Sequence, residues 1–214
     1  MNSTQSTWRA LLIAAAGIVA VTGCGELESK PYERRVPAHA RSSKPKKAEP
    51  LPIVSQVKPF LLWDENSEEL TLDTLKGKVW VADFIFTNCI NPCPAMTQRM
   101  RGLQGAFEKD EGVRLVSFSV DPGRDSPEVL FSYARQYGAI KGKWHFATGA
   151  KKALKELQFE SMKINGDGDN MLNHSTRFVL VDQQGRVRGY YKGLDADDVK
   201  RLEKDVRRLL GESS

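Results

Sequence analysis

The chain has 214 residues, room for one domain with extensions, and its 40% hydrophobic content supports an ordinary core. A folded part of roughly 160 residues buries well over half of its unfolded surface, so folding needs neither metal nor disulfides. The net charge of +5 would suit nucleic acid, but residues 1–24 contribute +1 and residues 25–52 contribute +3 (seven Lys/Arg, four Glu). Only +1 remains for residues 53–214, so the basic excess is a solvated linker and nucleic-acid binding is excluded.

In chain order, the first 24 residues open with a polar stretch carrying Arg9, followed by an apolar run from Ala10 to Val21. About a dozen residues cannot comfortably cross roughly 30 Å of hydrocarbon, but they match a signal-peptide core. The run ends in VTGC, residues 21–24, which resembles a bacterial lipobox in which the cysteine, here Cys24, is lipidated. The expected location is extracytoplasmic and membrane-anchored, at the periplasmic face, held by a multi-chain lipid. Residues 25–52 hold five of the ten prolines and almost no apolar clusters. Such a segment cannot offset the entropy of ordering and is expected to be a tether, with His39 solvated.

The folded domain is expected over residues 53–214. KPFLLWDENSEELTLDTLKGK predicts a hairpin and a turn. VWVADFIF, residues 79–86, is a nearly continuous apolar run and predicts a buried central strand. From Pro94 to Phe107 the apolar residues Met96, Met100, Leu103 and Phe107 recur at helical spacing, which assigns both methionines to core packing. VRLVSFSV predicts a second buried strand, DSPEVLFSYARQYG a helix capped by Ser126, KWHFATG a short strand and AKKALKELQF a helix. TRFVLVDQQGRVRGYYKG predicts a hairpin, and DADDVKRLEKDVRRLL an amphipathic helix, acidic first and basic last. This order implies an α/β fold, a three-layer α/β/α sandwich with a mixed central sheet.

Cys89 and Cys93 lie where the central strand runs out into a helix N-terminus. If Cys93 is the N-cap and Pro94 the first helical residue, the partial positive charge there lowers a thiol's pKa. The pair could form a disulfide, chelate an ion or exchange with another disulfide. A loop this short is a poor staple, which disfavours a purely structural bridge. Thiolates prefer soft ions such as Cu(I), and imidazole is the usual third donor. His145 sits within a strand pattern and reads as a satisfied histidine, whereas His174 stands in a loop just before a buried strand. The intervening NGDGDN, residues 165–170, lacks the pattern of a calcium-binding EF-hand loop.

DFIFTNCINPCPAM resembles the Sco (SenC) family in its Thr-x-Cys-x-x-x-Cys-Pro loop, here Thr87, Cys89, Cys93 and Pro94. SFSVDPGRDSP resembles the family's Ser-x-Asp-Pro-x-x-Asp-x-Pro segment, KWHFATG its Trp-x-Phe-x-Thr-Gly element, and NHSTRFVLVDQQGRV its His-Ser loop and Asp-x-x-Gly turn. The resemblance runs from about residue 57 to 210, in order. It implies a thioredoxin-like fold and a metallochaperone, not an enzyme in the turnover sense. It implies copper, Cu(I) or Cu(II), held by Cys89, Cys93 and His174, with Cys89 and Cys93 forming a disulfide when oxidised. Implied partners are the CuA-bearing subunit of cytochrome c oxidase, other periplasmic copper chaperones and a thioredoxin-like reductant. The alternative is a thiol–disulfide oxidoreductase acting on the oxidase copper site or on another chaperone, with Cys89 and Cys93 as its redox-active pair. The three-residue spacer, and the lack of any proline after Pro127, favour metal binding. Asn88 stands where family members often have His, which changes the surface offered to partners but not the ligand set.

The lipobox reading makes one direct prediction. Mass spectrometry of the mature protein from its native host should find Cys24 as a lipidated N-terminus, and a free, unmodified Cys24 would refute it.

Overall fold

The computed structural model describes residues 49–164 and 175–211. Cys24, His39, residues 165–174 and therefore His174 lie outside the described residues. No helix among the described residues is long and apolar enough to cross a membrane.

Eight strands form one sheet: β1 (Ser55–Gln56), β2 (Leu61–Asp64), β3 (Glu69–Thr71), β4 (Val79–Ile85), β5 (Val113–Ser119), β6 (Trp144–Thr148), β7 (Arg177–Val181) and β8 (Arg186–Lys192). Their order is β1-β8-β7-β4-β5-β6-β2-β3. The central β4, β5 and β6 are parallel, and β7, β8, β2 and the edges pair antiparallel. Helix α2 (Cys93–Ala106) connects β4 to β5, and α3 (Pro127–Gln136) connects β5 to β6. Both pack on the same face as the C-terminal α5 (Ala196–Gly211). The other face carries the short α1 (Leu72–Leu75) and α4 (Lys151–Lys155). This is the expected thioredoxin-like α/β sandwich with a mixed sheet.

The continuous apolar run of β4 follows from burial on both sides. Val79, Val81 and Ile85 enter the core under α2 and α5, while Trp80, Ala82 and Phe84 enter the opposite core. Met96, Met100, Leu103 and Phe107 all enter the first core, as their spacing predicts. Ser126 caps α3, its hydroxyl accepting from the Val129 N–H at 3.4 Å.

Three local features differ from the sequence expectation. The Pro92 carbonyl already accepts from the Ala95 and Met96 N–H groups at 3.1 Å, so Pro92 is the N-cap of α2 and Cys93 its first residue. The helix expected over AKKALKELQF is α-helical only through Lys155 and widens to a π-helical segment over Glu156–Ser161. There Leu157 and Met162, five residues apart, both reach the second core, and the Met162 N–H donates to the Leu157 carbonyl at 2.9 Å. That spacing suits a π turn and not an α turn. The two-residue β1 carries no periodicity for a sequence to reveal. It is held by pairing with β8.

The β7–β8 hairpin explains the Asp-x-x-Gly turn. Gly185 has φ +74°, a conformation open to glycine at little cost, and an added Cβ would meet Leu72 at 3.1 Å. Asp182, buried, accepts from the Gln184 and Arg186 N–H groups, from Arg186 Nε at 2.7 Å and from Arg188 Nη1 at 2.8 Å. Arg188 in turn donates to the Leu51 and Pro52 carbonyls, tying the start of the described chain to the sheet. Burial alone would raise the Asp182 carboxyl, but the hydrogen bonds from Arg186 and Arg188 outweigh it and hold the carboxyl below its ordinary value. Its contribution is therefore present at neutral pH and is lost as pH falls below about 4. Asp182→Ala should cost about 3 kcal/mol in urea denaturation at pH 7. The variant should also lose less stability than the native chain when both are taken to pH 3.

Candidate functional site: a buried dithiol at the end of the central strand

Strand β4 ends at Ile85, and the chain turns over Phe86–Cys89, where the Cys89 N–H donates to the Phe86 carbonyl at 3.2 Å. The turn is anchored from outside. Thr87 Oγ1 donates to Asp125 Oδ1 at 2.6 Å, and the Thr87 N–H also points at this carboxylate. Ser119 Oγ, at the end of β5, donates to Asp125 Oδ2 at 2.6 Å and accepts from the Asp121 N–H at 3.0 Å. One buried carboxylate thus joins the thiol loop to the next strand and to the turn before α3. On the helix side, Thr97 Oγ1 donates to the Cys93 carbonyl at 2.9 Å and lies 3.1 Å from the Tyr133 hydroxyl.

The loop brings Cys89 and Cys93 together as free thiols, 8% and 1% exposed. Burial pushes the Cys93 thiol up to about 12, reinforced by its hydrogen bond to Cys89 and by the charge of Asp83. The lowered pKa expected at a helix N-terminus is therefore not found at Cys93. The reason is that desolvation, with an acceptor thiol and a carboxylate close by, outweighs the partial charge of the helix end. Removing the proton requires something that replaces it, such as a soft cation or a disulfide bond. Two facing sulfurs suit either.

Asp83 is the unexpected member of the site. It lies on β4 opposite Ser117 of β5, is completely buried, and neither carboxylate oxygen makes a well-formed hydrogen bond, the Ser117 hydroxyl giving it only weak support. Burial drives its carboxyl up to about 7, only partly offset by Ser117. The alternation of β4 turns Asp83 to the same side as Val81 and Ile85, into the core that contains both cysteines. A lone acid inside the apolar run VWVADFIF was the available signal for this residue. Asp125 was visible only as part of a motif, without a role.

The other candidates separate cleanly. His145 Nδ1 lies 3.1 Å from Asp64 Oδ2, a satisfied histidine as expected. Asp64, Glu65 and His145 form the one group of three metal-capable side chains among the described residues. Their atoms are engaged elsewhere: Asp64 Oδ1 accepts from the Asn66 and Glu68 N–H groups, and Glu65 Oε2 from the Phe146 N–H at 2.8 Å. They brace the β2–β3 turn against β6, two and three strands across the sheet from β4. Residue 177, where the described chain re-enters the sheet, lies at the thiol end, because β7 runs antiparallel to β4.

The raised Asp83 carboxyl destabilises the fold as pH rises. It is neutral in the folded chain below about 7, whereas in the unfolded chain it ionises near its ordinary value, so the cost grows between pH 4 and 7. The reduced protein should lose stability between pH 5 and pH 8, and Asp83→Asn should remove about 2–4 kcal/mol of that loss. Denaturant melts at the two pH values provide the test, and an unchanged slope in the variant would refute it.

Residues 51–211 match the SCO1/SenC family. The chain is 35% identical over 161 residues to a SCO1 protein homolog of Bacillus subtilis, covering 73% of this chain and 83% of that protein. Among solved structures, BsSco, described as a Sco-family cytochrome c oxidase assembly protein with a disulfide switch, superposes with a TM-score of 0.67 at 32% identity. The match covers 77% of this chain and 98% of that one. A SCO1/SenC family lipoprotein of Bacillus anthracis gives 0.66 at 31% identity, covering 73% and 95%. Copper-bound ScoI of Bradyrhizobium japonicum, at 24% identity, shares the fold with a TM-score of 0.60 over 72% of this chain and 99% of that one. With the family match running from residue 51 to 211 and a relative 35% identical over 161 residues, the chain belongs to the SCO1/SenC family.

Proposed function

We propose that this protein binds copper and takes part in cytochrome c oxidase assembly, holding the ion through Cys89, Cys93 and His174 and delivering it to the CuA site. The observation that carries the reading is the pair of facing, reduced, buried thiols on a braced loop at the end of the central strand. Such a donor set suits a soft monovalent copper ion, and burial keeps water and other ligands from competing. Family membership adds the function, since BsSco is described as an oxidase assembly protein and ScoI carries copper. His174 is the third ligand in this reading because it comes three residues before β7, which begins at the thiol end of the sheet. His145, the one imidazole among the described residues, is engaged by Asp64 and sits on β6, two strands from β4.

A second reading is supported by the same two sulfurs. A dithiol this close can cycle to a disulfide, and BsSco is described as having a disulfide switch. In this role Cys89 and Cys93 would reduce the cysteines of the oxidase copper site, or of another chaperone, becoming a disulfide as the target disulfide becomes two thiols. A reductant outside the cytoplasm would then restore the pair, and copper binding requires the same service. In this reading a lipid on Cys24 and the tether after it hold these events near a membrane, which the Bacillus anthracis relative, described as a lipoprotein, supports.

Copper titration of the reduced protein should give one ion per chain. Cys89→Ser should abolish tight binding, and His174→Ala should weaken it at least tenfold. Unchanged affinity in the histidine variant would refute the three-ligand site. Fast copper transfer with negligible thiol exchange toward the CuA subunit would leave only the chaperone reading.

A further inference from the structure

We propose that Ile90, the side chain between the two thiols, is the anchor by which this protein docks on a partner domain whose own copper-ligating sulfurs lie in an apolar recess. The inference builds on the function proposed above and names how the partner is engaged.

Ile90 is 96% exposed, while Cys89 and Cys93 on either side of it are 8% and 1% exposed. The sulfurs are therefore recessed behind an isoleucine that projects fully into solvent. Scattered apolar side chains on a surface need no explanation. This one differs by its position, because whatever approaches both sulfurs must first meet it.

Its surroundings point the same way. Residues 87–98, TNCINPCPAMTQ, contain no charged side chain in a chain that is 28% charged. The thiol loop itself therefore offers a partner no ion pair, and its share of the affinity has to come from apolar contact, while charges such as Arg124 and Lys192 lie on the neighbouring segments. A second exposed apolar group, Leu194, follows Gly193 in the loop after β8, and an added Cβ on Gly193 would sit 3.1 Å from Met96 Cε of α2. That loop therefore abuts the helix that begins at Cys93, and the thiol end of the sheet carries apolar groups on two loops.

The anchor is also rigidly mounted. Asp125 holds Thr87 on one side of the thiol loop, and the first α2 hydrogen bonds to Pro92 hold the other. Little motion has to be frozen when a partner seats on it, which favours rapid engagement and release. A projecting isoleucine fits a concave site, and burying it aligns the sulfurs behind it with the acceptor ligands. A second copy of this chain fits poorly, since both copies would present the same convex loop.

The test uses the full chain in detergent, loaded with Cu(I), and compares native protein, Ile90→Asp and Ile90→Val. Two rates are measured: copper transfer to the copper-free soluble domain of the host oxidase's CuA-bearing subunit, and copper removal by the small chelator bicinchoninate. Ile90 is almost fully exposed, so the variants should fold normally, as circular dichroism will verify. Ile90→Asp should slow transfer to the protein domain at least tenfold and leave removal by the chelator unchanged, while Ile90→Val stays near native. Equal transfer by native and Ile90→Asp proteins would overturn the docking role alone. A parallel loss in both assays would overturn it in favour of a metal-site defect. Dissociation of a native dimer by Ile90→Asp in sedimentation would identify a second copy as the occupant and overturn it as well. If the native protein transfers no copper to the domain, the functional reading fails and the docking role falls with it.

Discussion

The Asp125 carboxylate is the constraint on which the site depends. Regular hydrogen bonding ends where β4 ends, at Ile85, and the next helix begins at Cys93. Between them the chain must place two sulfurs side by side with few backbone bonds of its own. Asp125 supplies the missing fixed point by accepting from Thr87 at one end and from Ser119 of β5 at the other. Charge-assisted bonds to a buried carboxylate are short and strong, so the loop inherits the rigidity of the sheet. Everything claimed for the dithiol, whether as chelate, redox pair or docking platform, needs that rigidity.

Two opposing physical effects meet at the thiols. A helix N-terminus stabilises a thiolate, and burial opposes it. Here burial prevails at Cys93, because the sulfur is almost completely covered, and the Cys89 thiol and the charge of Asp83 add to it against a single opposing hydrogen bond from the Phe86 backbone. The uncharged surface over residues 87–98 supplies no cation to reverse this balance. The pair is therefore held as neutral thiols until a partner atom displaces a proton. That keeps the sulfurs from reacting indiscriminately with passing disulfides.

Much of the fold was legible because burial imposes a period. The run of β4, the helical spacing of Met96, Met100, Leu103 and Phe107, and the capped start of α3 were each readable and each occur within a residue or two of the expected bounds. The features that were not legible depend on other parts of the chain. Strand β1 is two residues held by β8 and by the Ser55 hydroxyl on the Ser161 carbonyl, and the π-helical segment brings Leu157 and Met162 into one core. At the site, the cysteine spacing announced a dithiol, but nothing local to Asp125 announced that it would hold Thr87, 38 residues earlier.

The sequence by itself determined the α/β order, the family and the two sulfurs, since these are carried by local spacing and by motifs in succession. The tertiary structure decided the state of those sulfurs. It buried them, turned Asp83 toward them without a well-formed hydrogen bond, and pinned their loop through Asp125 while leaving Ile90 in solvent. Desolvation and exposure depend on what the rest of the chain packs nearby, and no local spacing encodes that.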